Sequence, residues 1–195
     1  TAAERPAAPA PAASEDPPSI AVVPFLNLGP DGEQEVLADG FTEDITSALC
    51  CLPGFLVIAR GTMFAYQGRA VDPRQLASEL GVRYAVEGSV RLQGRRLRVS
   101  AQLIEAASGH HLWAQNYDRE LDELFAIQDD IARHIAGRIE PELLVAEWGR
   151  ASRKPSASLS AWECVVRALH HSTQQSESES GQAMALLQQA LVHDA

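Results

Sequence analysis

The stretch from Tyr84 to Asp118 alternates apolar and polar side chains with a period of two, and a β-meander is the fold that satisfies it. Tyr84, Val86, Gly88, Val90 and Leu92 form one set, and Leu97, Val99, Ala101 and Leu103 form the next. A two-residue turn at Gln93-Gly94 sets Leu92 against Arg95, Val90 against Leu97, Gly88 against Val99, Val86 against Ala101 and Tyr84 against Leu103. Apolar meets apolar at four of these five pairs. A slip of one residue would oppose the apolar set to the polar one. A third strand, His110 to Asp118, returns through a loop at Ala106 to Gly109, pairing Leu103 with Leu112 and Ala101 with Ala114.

The segments around the meander build an α/β unit. Ile20 to Phe25 is a continuous apolar run, the pattern of a strand buried on both faces, and Pro24 belongs at its end because it cannot donate to a ladder. Asp31 and Gln34 have capping-box spacing for a helix whose apolar stripe is Leu37, Phe41, Ile45, Ala48 and Leu49. Asp39-Gly40 interrupts that stripe and predicts a break or restart. Phe55 to Ala59 is a second apolar strand, so the first two strands are expected to be parallel. Arg60 to Arg69 reads as irregular. Asp72 to Leu80 has a full set of helix signals: Asp72 to cap, Pro73 at the first position, Gln75 to complete the box, a Val71–Leu76 staple and Gly81 to stop. Leu124, Ile127, Ile131, Ile135 and Ile139 define a long helix that Pro141 is expected to end or kink. The fold class is therefore α/β, a five-stranded mixed sheet in the order β-α-β-α-β-β-β-α with helices packed on it.

An all-α helical-repeat appendage follows. Arg150 to Ser158 reads as a hinge, and Trp162, Val165, Val166 and Leu169 begin a new helical stripe. Ala183, Leu187 and Ala190, closed by Asp194-Ala195, have the spacing of the second helix of a tetratricopeptide repeat. One such pair cannot make a solenoid alone, so an array is expected to continue beyond it. The divisions are residues 1–18 as a linker, 19–149 as the α/β domain, 150–158 as the hinge and 159–195 as the helical pair. Ala and Pro supply seven and five of the first eighteen positions, a composition that favours extended chain. Thr1 opens the chain with neither an initiator Met nor a signal-peptide layout, and the expectation is a piece of a longer protein.

The net charge of -10 argues against a nucleic-acid binder, which relies on basic surface to neutralise phosphates. No apolar run approaches the roughly 20 residues of a membrane span. Cys50, Cys51 and Cys164 lack the spacing of a disulfide framework or a metal site.

Candidate chemistry is sparse. Asp39, Glu43 and Asp44 could seat a cation, but two carboxylates a turn apart without a third ligand more often mark a solvated helix face. Arg91, Arg95, Arg96 and Arg98 gather at a hairpin tip, where they suit an acidic partner or simply a charged, aggregation-resistant end. Arg91, Arg96 and Arg98 are taken as candidate interaction residues. Asn27, after the first strand, and Arg60, after the second, lie where open α/β sheets bind ligands, and are the candidate ligand-binding residues. His110-His111 and His170-His171 are adjacent pairs; on a strand such neighbours point to opposite faces and do not chelate together. Trp113 and Tyr117 share the strand face opposite Leu112 and are expected to pack under the long helix, with a place in a binding surface as the alternative. No nucleophile elbow or glycine-rich phosphate loop occurs, so no catalytic residue, cofactor or metal is assigned.

Several stretches read together resemble the TolB-amino-terminal-like, FlgO-related domain: residues 19–28 (SIAVVPFLNL), 38–49 (ADGFTEDITSAL), 82–90 (VRYAVEGSV), 101–118 (AQLIEAASGHHLWAQNYD) and 124–129. The resemblance spans residues 19–145, and tetratricopeptide repeats commonly follow that domain. It implies a non-catalytic sensory, regulatory and protein-interaction module of a larger bacterial signalling protein. The parent would be a class III adenylate or guanylate cyclase, with a winged-helix transcription regulator as the alternative. It also implies a membrane-tethered parent with this domain on the periplasmic side, a cytoplasmic position being the alternative. A protein partner is expected on the helical repeats, and a homodimer through a sheet edge or the long helix. No nucleic acid is expected on this fragment. A small-ligand receptor binding at the strand ends is a second reading. Nothing in the residues supports an enzyme.

Overall fold

The computed structural model describes residues 17–29, 33–69, 71–121, 123–174 and 176–193. The cap expected at Asp31, the closing Asp194-Ala195 and most of the linker lie outside them. One mixed sheet organises the chain, built from β1 (Ser19–Val22), β2 (Leu26–Asn27), β3 (Leu56–Val57), β4 (Tyr84–Gln93), β5 (Arg96–Glu105) and β6 (His110–Glu120). The strand order is β3-β1-β4-β5-β6, with β2 beside β4. The helices are α1 (Glu33–Cys50), α2 (Arg60–Met63), α3 (Pro73–Leu80), α4 (Leu124–Ala151), α5 (Ala161–Ser172) and α6 (Glu177–His193). The class is α/β as expected, but the sheet has six strands rather than five, and a short α2 and a 3-10 turn occupy the supposedly irregular 60–69 segment.

The extra strand comes from a bulge at Pro24. Val22 stands beside Val86 and Leu26 beside Ser89, so four steps on one strand match three on the other. Pro24 has no N–H to give, and the Phe25 N–H leaves the ladder to donate to Thr42 Oγ1 of α1 at 2.9 Å. The Phe25 ring then packs directly over Gly88. A Cβ at Gly88 would collide with that ring and sit 2.5 Å from the Ser100 carbonyl oxygen.

The expected parallel pairing of the first two strands is present, Ser19 beside Leu56 and Ile20 beside Val57. The β4–β5 register differs from expectation by two residues: Leu92 faces Leu97, Val90 faces Val99, Gly88 faces Ala101 and Val86 faces Leu103. A slip of two preserves which side chains share a face, so the apolar pattern accepts both registers. The turn chemistry decides. Gly94 adopts φ +59 and takes the first position of a two-residue turn with Arg95. In the second hairpin the loop at 106–109 is as expected, but a bulge between Leu103 and Ile104 places Leu103 opposite Trp113 and Ala101 opposite Gln115. Leu112 is the extra residue, and Leu112 and Trp113 both pack against the main core.

The main core lies between one sheet face and the helices α1 and α4. Phe41, Ile45 and Leu49 of α1 and Ile131, Ile135 and Ile139 of α4 are sealed against Val86, Val99 and Leu103. Helix α1 runs unbroken through Gly40, correcting the expected interruption. Gly40 is small because α4 crosses there: the Gln128 side chain would lie 2.5 Å from a Cβ, and it donates to Asp44 at 2.6 Å. Gln34 does not act as a cap; its side chain pairs with the Leu92 backbone through both N–H and C=O. Helix α3 forms as its signals require, with Asp72 accepting from the Arg74 N–H at 2.9 Å and Gly81 in the left-handed region. Gln75 instead donates to Glu79, so the reciprocal half of that box is absent. Helix α4 carries Pro141 in its interior and continues to Ala151, so of the two outcomes expected there, an end or a kink, the end does not occur. The lost hydrogen bond is offset by burial of Leu143 and Ala151 and by the bonds that Glu147 accepts beyond it.

Gly88→Ala is expected to cost about 2–3 kcal/mol, because neither an aromatic ring nor a neighbouring backbone carbonyl can yield without moving a strand. The melting temperature should fall by roughly 5–10 °C in a calorimetric scan. An unchanged melting temperature would show that the Phe25 ring has room to move.

Candidate functional site

Helices cover the two sheet faces unequally. On the face opposite the main core, α2 and α3 seal only the β1–β4 end, through Ala21, Val23, Met63, Leu76 and Ala85. The rest of that face is bare and forms an open groove of about 820 Å³. Its walls are Val23, Pro24, Leu26 and Leu28 on one side and Arg69 and Val71 at one end, and its floor is the polar half of the meander.

The floor is ordered by the register. Glu87 pairs with Gln102 and Gln102 with Ala114; two residues on, Ser89 pairs with Ser100 and Ser100 with Asn116; two further on, Arg91 pairs with Arg98 and Arg98 with Asp118. The sequence of rows runs from a carboxylate, through hydroxyls and amides, to guanidinium groups. Gln102 Nε2 donates to Glu87 Oε2 at 3.1 Å, and Ser100 Oγ donates to Asn116 Oδ1 at 2.7 Å. Arg98 makes a two-pronged pair with Asp118 at 2.9 and 3.0 Å, and Arg96 reaches the same carboxylate at 3.8 Å. That pairing holds the Asp118 carboxyl below its ordinary range.

Burial pushes the Glu87 carboxyl above the ordinary glutamate range, and Asp72 adds to the rise; the Gln102 amide and His111 oppose it. A half-buried carboxylate without a cation bonded to it costs stability, and such groups concentrate where a ligand or reaction uses them.

The residues singled out in the sequence fall in different places. Arg91 and Arg98 are cross-strand partners one row beyond the Ser89–Ser100 end of the groove floor and do not line it, and Arg96 is on the exposed tip beside them. Asn27 and Arg60 are not brought together in the groove. Asn27 Oδ1 accepts from the Gly29 N–H at 2.7 Å, and Arg60 pairs with Glu43 at 2.9 Å while lying over the Phe64 ring. The acidic group disperses: Asp39 accepts from Gln67, Glu43 from Arg60 and Asp44 from Gln128. Among the described residues no cluster of three potential metal ligands occurs. Tyr117 is buried under α4 as expected, and Trp113 is half-buried against the same core.

Reading the apolar half of the alternation hides Glu87, Ser89, Ser100, Gln102 and Asn116. The signal that could have found them is the small, uncharged character of the central polar positions, where an ordinary solvated face carries long charged side chains.

A second constellation joins the α/β body to the helical pair. Glu147 of α4, 2% exposed, accepts from the Tyr84 hydroxyl at 2.6 Å, the Arg83 guanidinium at 2.7 Å and the Trp162 indole N–H at 3.3 Å. Arg150, one turn on, pairs with Glu105 at 2.5 Å. Trp162 opens α5 and packs edge-on to Phe55, ring centres 5.3 Å apart. The 150–158 connection is fastened from above: Arg167 donates to the Ala151 and Lys154 carbonyls, and Lys154 pairs with Glu163 at 2.6 Å. Ser160 and Glu163 close a full capping box on α5.

The chain is 41% identical over 177 residues to a Rhizobium meliloti protein named "Putative adenylate cyclase 3". The match covers 91% of this chain and spans 30% of the length of that relative. No family model matches. Among solved structures, lipoprotein GNA1162 from Neisseria meningitidis is similar at 22% identity with a TM-score of 0.47, covering 62% of this chain and 97% of that one. TolB from Acinetobacter baumannii is similar at 17% identity with a TM-score of 0.43, covering 68% and 28%. The LpoB C-terminal domain from Salmonella enterica is similar at 16% identity with a TM-score of 0.43, covering 55% and 86%.

Glu87→Gln tests the strain in the groove floor. A raised folded-state pKa means that the unfolded chain releases this proton first, so stability falls as pH rises from near 4.5 through the folded value. The variant should melt above the parent protein at about pH 8 and level with it at about pH 4. Thermal scans across that range check it; a constant offset at all pH values would locate the effect elsewhere.

Proposed function

We propose that this chain is a non-catalytic regulatory and protein-interaction module of a larger bacterial signalling protein, a nucleotide cyclase. The observation that carries the reading is the 41% identity to a protein named for adenylate cyclase, in a match that leaves 70% of that relative's length outside it. The module divides into the linker at 1–18, the α/β domain at 19–149, a hinge at 150–158 and the helical pair at 159–195.

In this reading the helical pair is the output surface. Helix α6 buries Ala183 and Ala190 but exposes Met184, Leu187 and Leu191, a stripe at helical spacing suited to a protein partner or a following repeat helix. The Glu147 junction couples that surface to the sheet, since α4 contributes to both. A second copy pairing along α4, where Phe125 and Val145 are exposed, would bring two output domains together. Arg91, Arg96 and Arg98 supply a basic contact for an acidic partner, and Asn27 and Arg60 remain candidates for a ligand at the strand ends. The same module serving a winged-helix regulator is the alternative.

No helix among the described residues is long and apolar enough to cross a membrane. The resemblance to the TolB-amino-terminal-like domain supports a periplasmic position for this domain in a membrane-tethered parent. Cys50 and Cys51 are exposed, so a membrane-impermeant maleimide can read the compartment. Labelling of these thiols on intact, mildly reduced spheroplasts of cells making the parent protein is the expected result. Labelling only after lysis would assign the cytoplasm.

The regulatory role is tested by Glu147→Gln in the parent protein. Removing the buried charge on which three donors converge is expected to cost about 3 kcal/mol and to loosen the helical pair. Cyclic-nucleotide output should change while the isolated chain makes no product from ATP or GTP. Turnover by the isolated chain, or a parent output that ignores both this variant and deletion of residues 17–193, would overturn the proposal.

A further inference from the structure

The groove floor begins with a carboxylate at Glu87, and the guanidinium row of Arg91 and Arg98 follows just beyond its Ser89–Ser100 end, so their spacing acts as a ruler. Glu87 and Arg91 lie four residues apart on β4, with Ser89 between them, and all three project from the same face. At about 3.3 Å per residue this separates the carboxylate row from the guanidinium row by roughly 13 Å. A free peptide in extended conformation spans that distance with about four residues.

We propose that the groove binds a short, unblocked peptide of about four residues, its terminal ammonium at Glu87 and its terminal carboxylate at Arg91 and Arg98. The proposal rests on the sensory reading above, and it names the class of ligand sensed.

Three observations carry it. The first is charge complementarity. Among the described residues Glu87 is half-buried with the neutral Gln102 amide as its one hydrogen-bond partner and His111 and Asp72 as charged neighbours, and Arg91 is exposed with no ion pair. Arg98 is already shared with Asp118, so Arg91 is the guanidinium with full capacity for a carboxylate. Arg69 also lines the groove, at the end where Val71 lies, and would disfavour a cationic side chain there.

The second is the hydrogen-bonding inventory of the middle row. After the internal bonds are counted, the Asn116 amide N–H groups, the Gln102 carbonyl and the Ser89 hydroxyl still have capacity. These donors and acceptors match the alternating N–H and C=O of a peptide backbone. The third is the wall. Leu26 and Leu28 are 44% and 49% exposed along the groove, offering apolar surface to the peptide's side chains. The lining has no aromatic ring, the usual platform for a sugar face. The groove's size lies within the range of small-ligand sites.

Titration calorimetry with the chain and an unblocked tetrapeptide of alternating alanine and leucine is the test. Saturable binding is expected, weakened about tenfold when either terminus is blocked by acetylation or amidation. Dipeptides should bind more weakly, because they cannot reach both charged rows. Glu87→Gln should abolish the penalty of acetylating the peptide, and Arg91→Ala the penalty of amidating it. Arg91 is exposed, so its substitution keeps the fold, and circular dichroism confirms this for both variants. Equal binding of blocked and unblocked peptides, or no heat with the unblocked tetrapeptide up to millimolar concentration, would overturn the proposal. Peptide binding without an effect on cyclic-nucleotide output in the parent protein would uphold the site and count against the regulatory reading alone.

Discussion

Glu147 brings a carboxylate to a place that water scarcely reaches, and three donors from two distant parts of the chain converge on it. Burying a charge costs several kcal/mol unless its lone pairs are satisfied, and here Tyr84, Arg83 and Trp162 together satisfy them. The arrangement fixes the start of β4, the last turns of α4 and the first turn of α5 relative to one another. The burial pushes the Tyr84 hydroxyl far above its ordinary range, so it serves as a donor at every physiological pH. The second half of α4 survives an interior proline because this junction, with Leu143 and Ala151, holds it in place.

The sheet depends on a different kind of constraint. Pro24 removes a ladder hydrogen bond where one extra residue must be absorbed, and the Phe25 N–H finds Thr42 instead. That detour turns the Phe25 ring onto Gly88 and sets β2 beside β4, from which Leu26 and Leu28 form the wall of the groove. The site is thus a consequence of a bulge in the first strand and of a helical layer too small to cover the sheet.

Much of this architecture was legible in the letters. The strand–helix–strand opening, the α3 signals from Asp72 to Gly81 and the three-strand meander all form. What failed did so for physical reasons. Alternation specifies which face a side chain takes but is blind to a slip of two, so the β4–β5 register had to come from Gly94. The Leu112 bulge obeys packing of Leu112 and Trp113 against one core, which pair-by-pair reading cannot anticipate. The break expected at Gly40, and the end that was one of two outcomes expected at Pro141, were local propensities overruled by tertiary contacts, Gln128 at the first and Glu147 at the second. The groove residues were visible but looked like solvent-facing filler, since nothing in a sequence says which sheet face the helices leave bare.

The bulge at Leu112 has one more effect. Strand β6 is the outer edge of the sheet and, at 11 residues, long enough to template another strand. A bulge sharpens the local twist and disturbs the regular spacing of edge N–H and C=O groups, and Asp118, Arg119 and Glu120 put charge on the far half of the strand. The residue that spoils the simple pairing therefore also makes the open edge a poorer template for another strand.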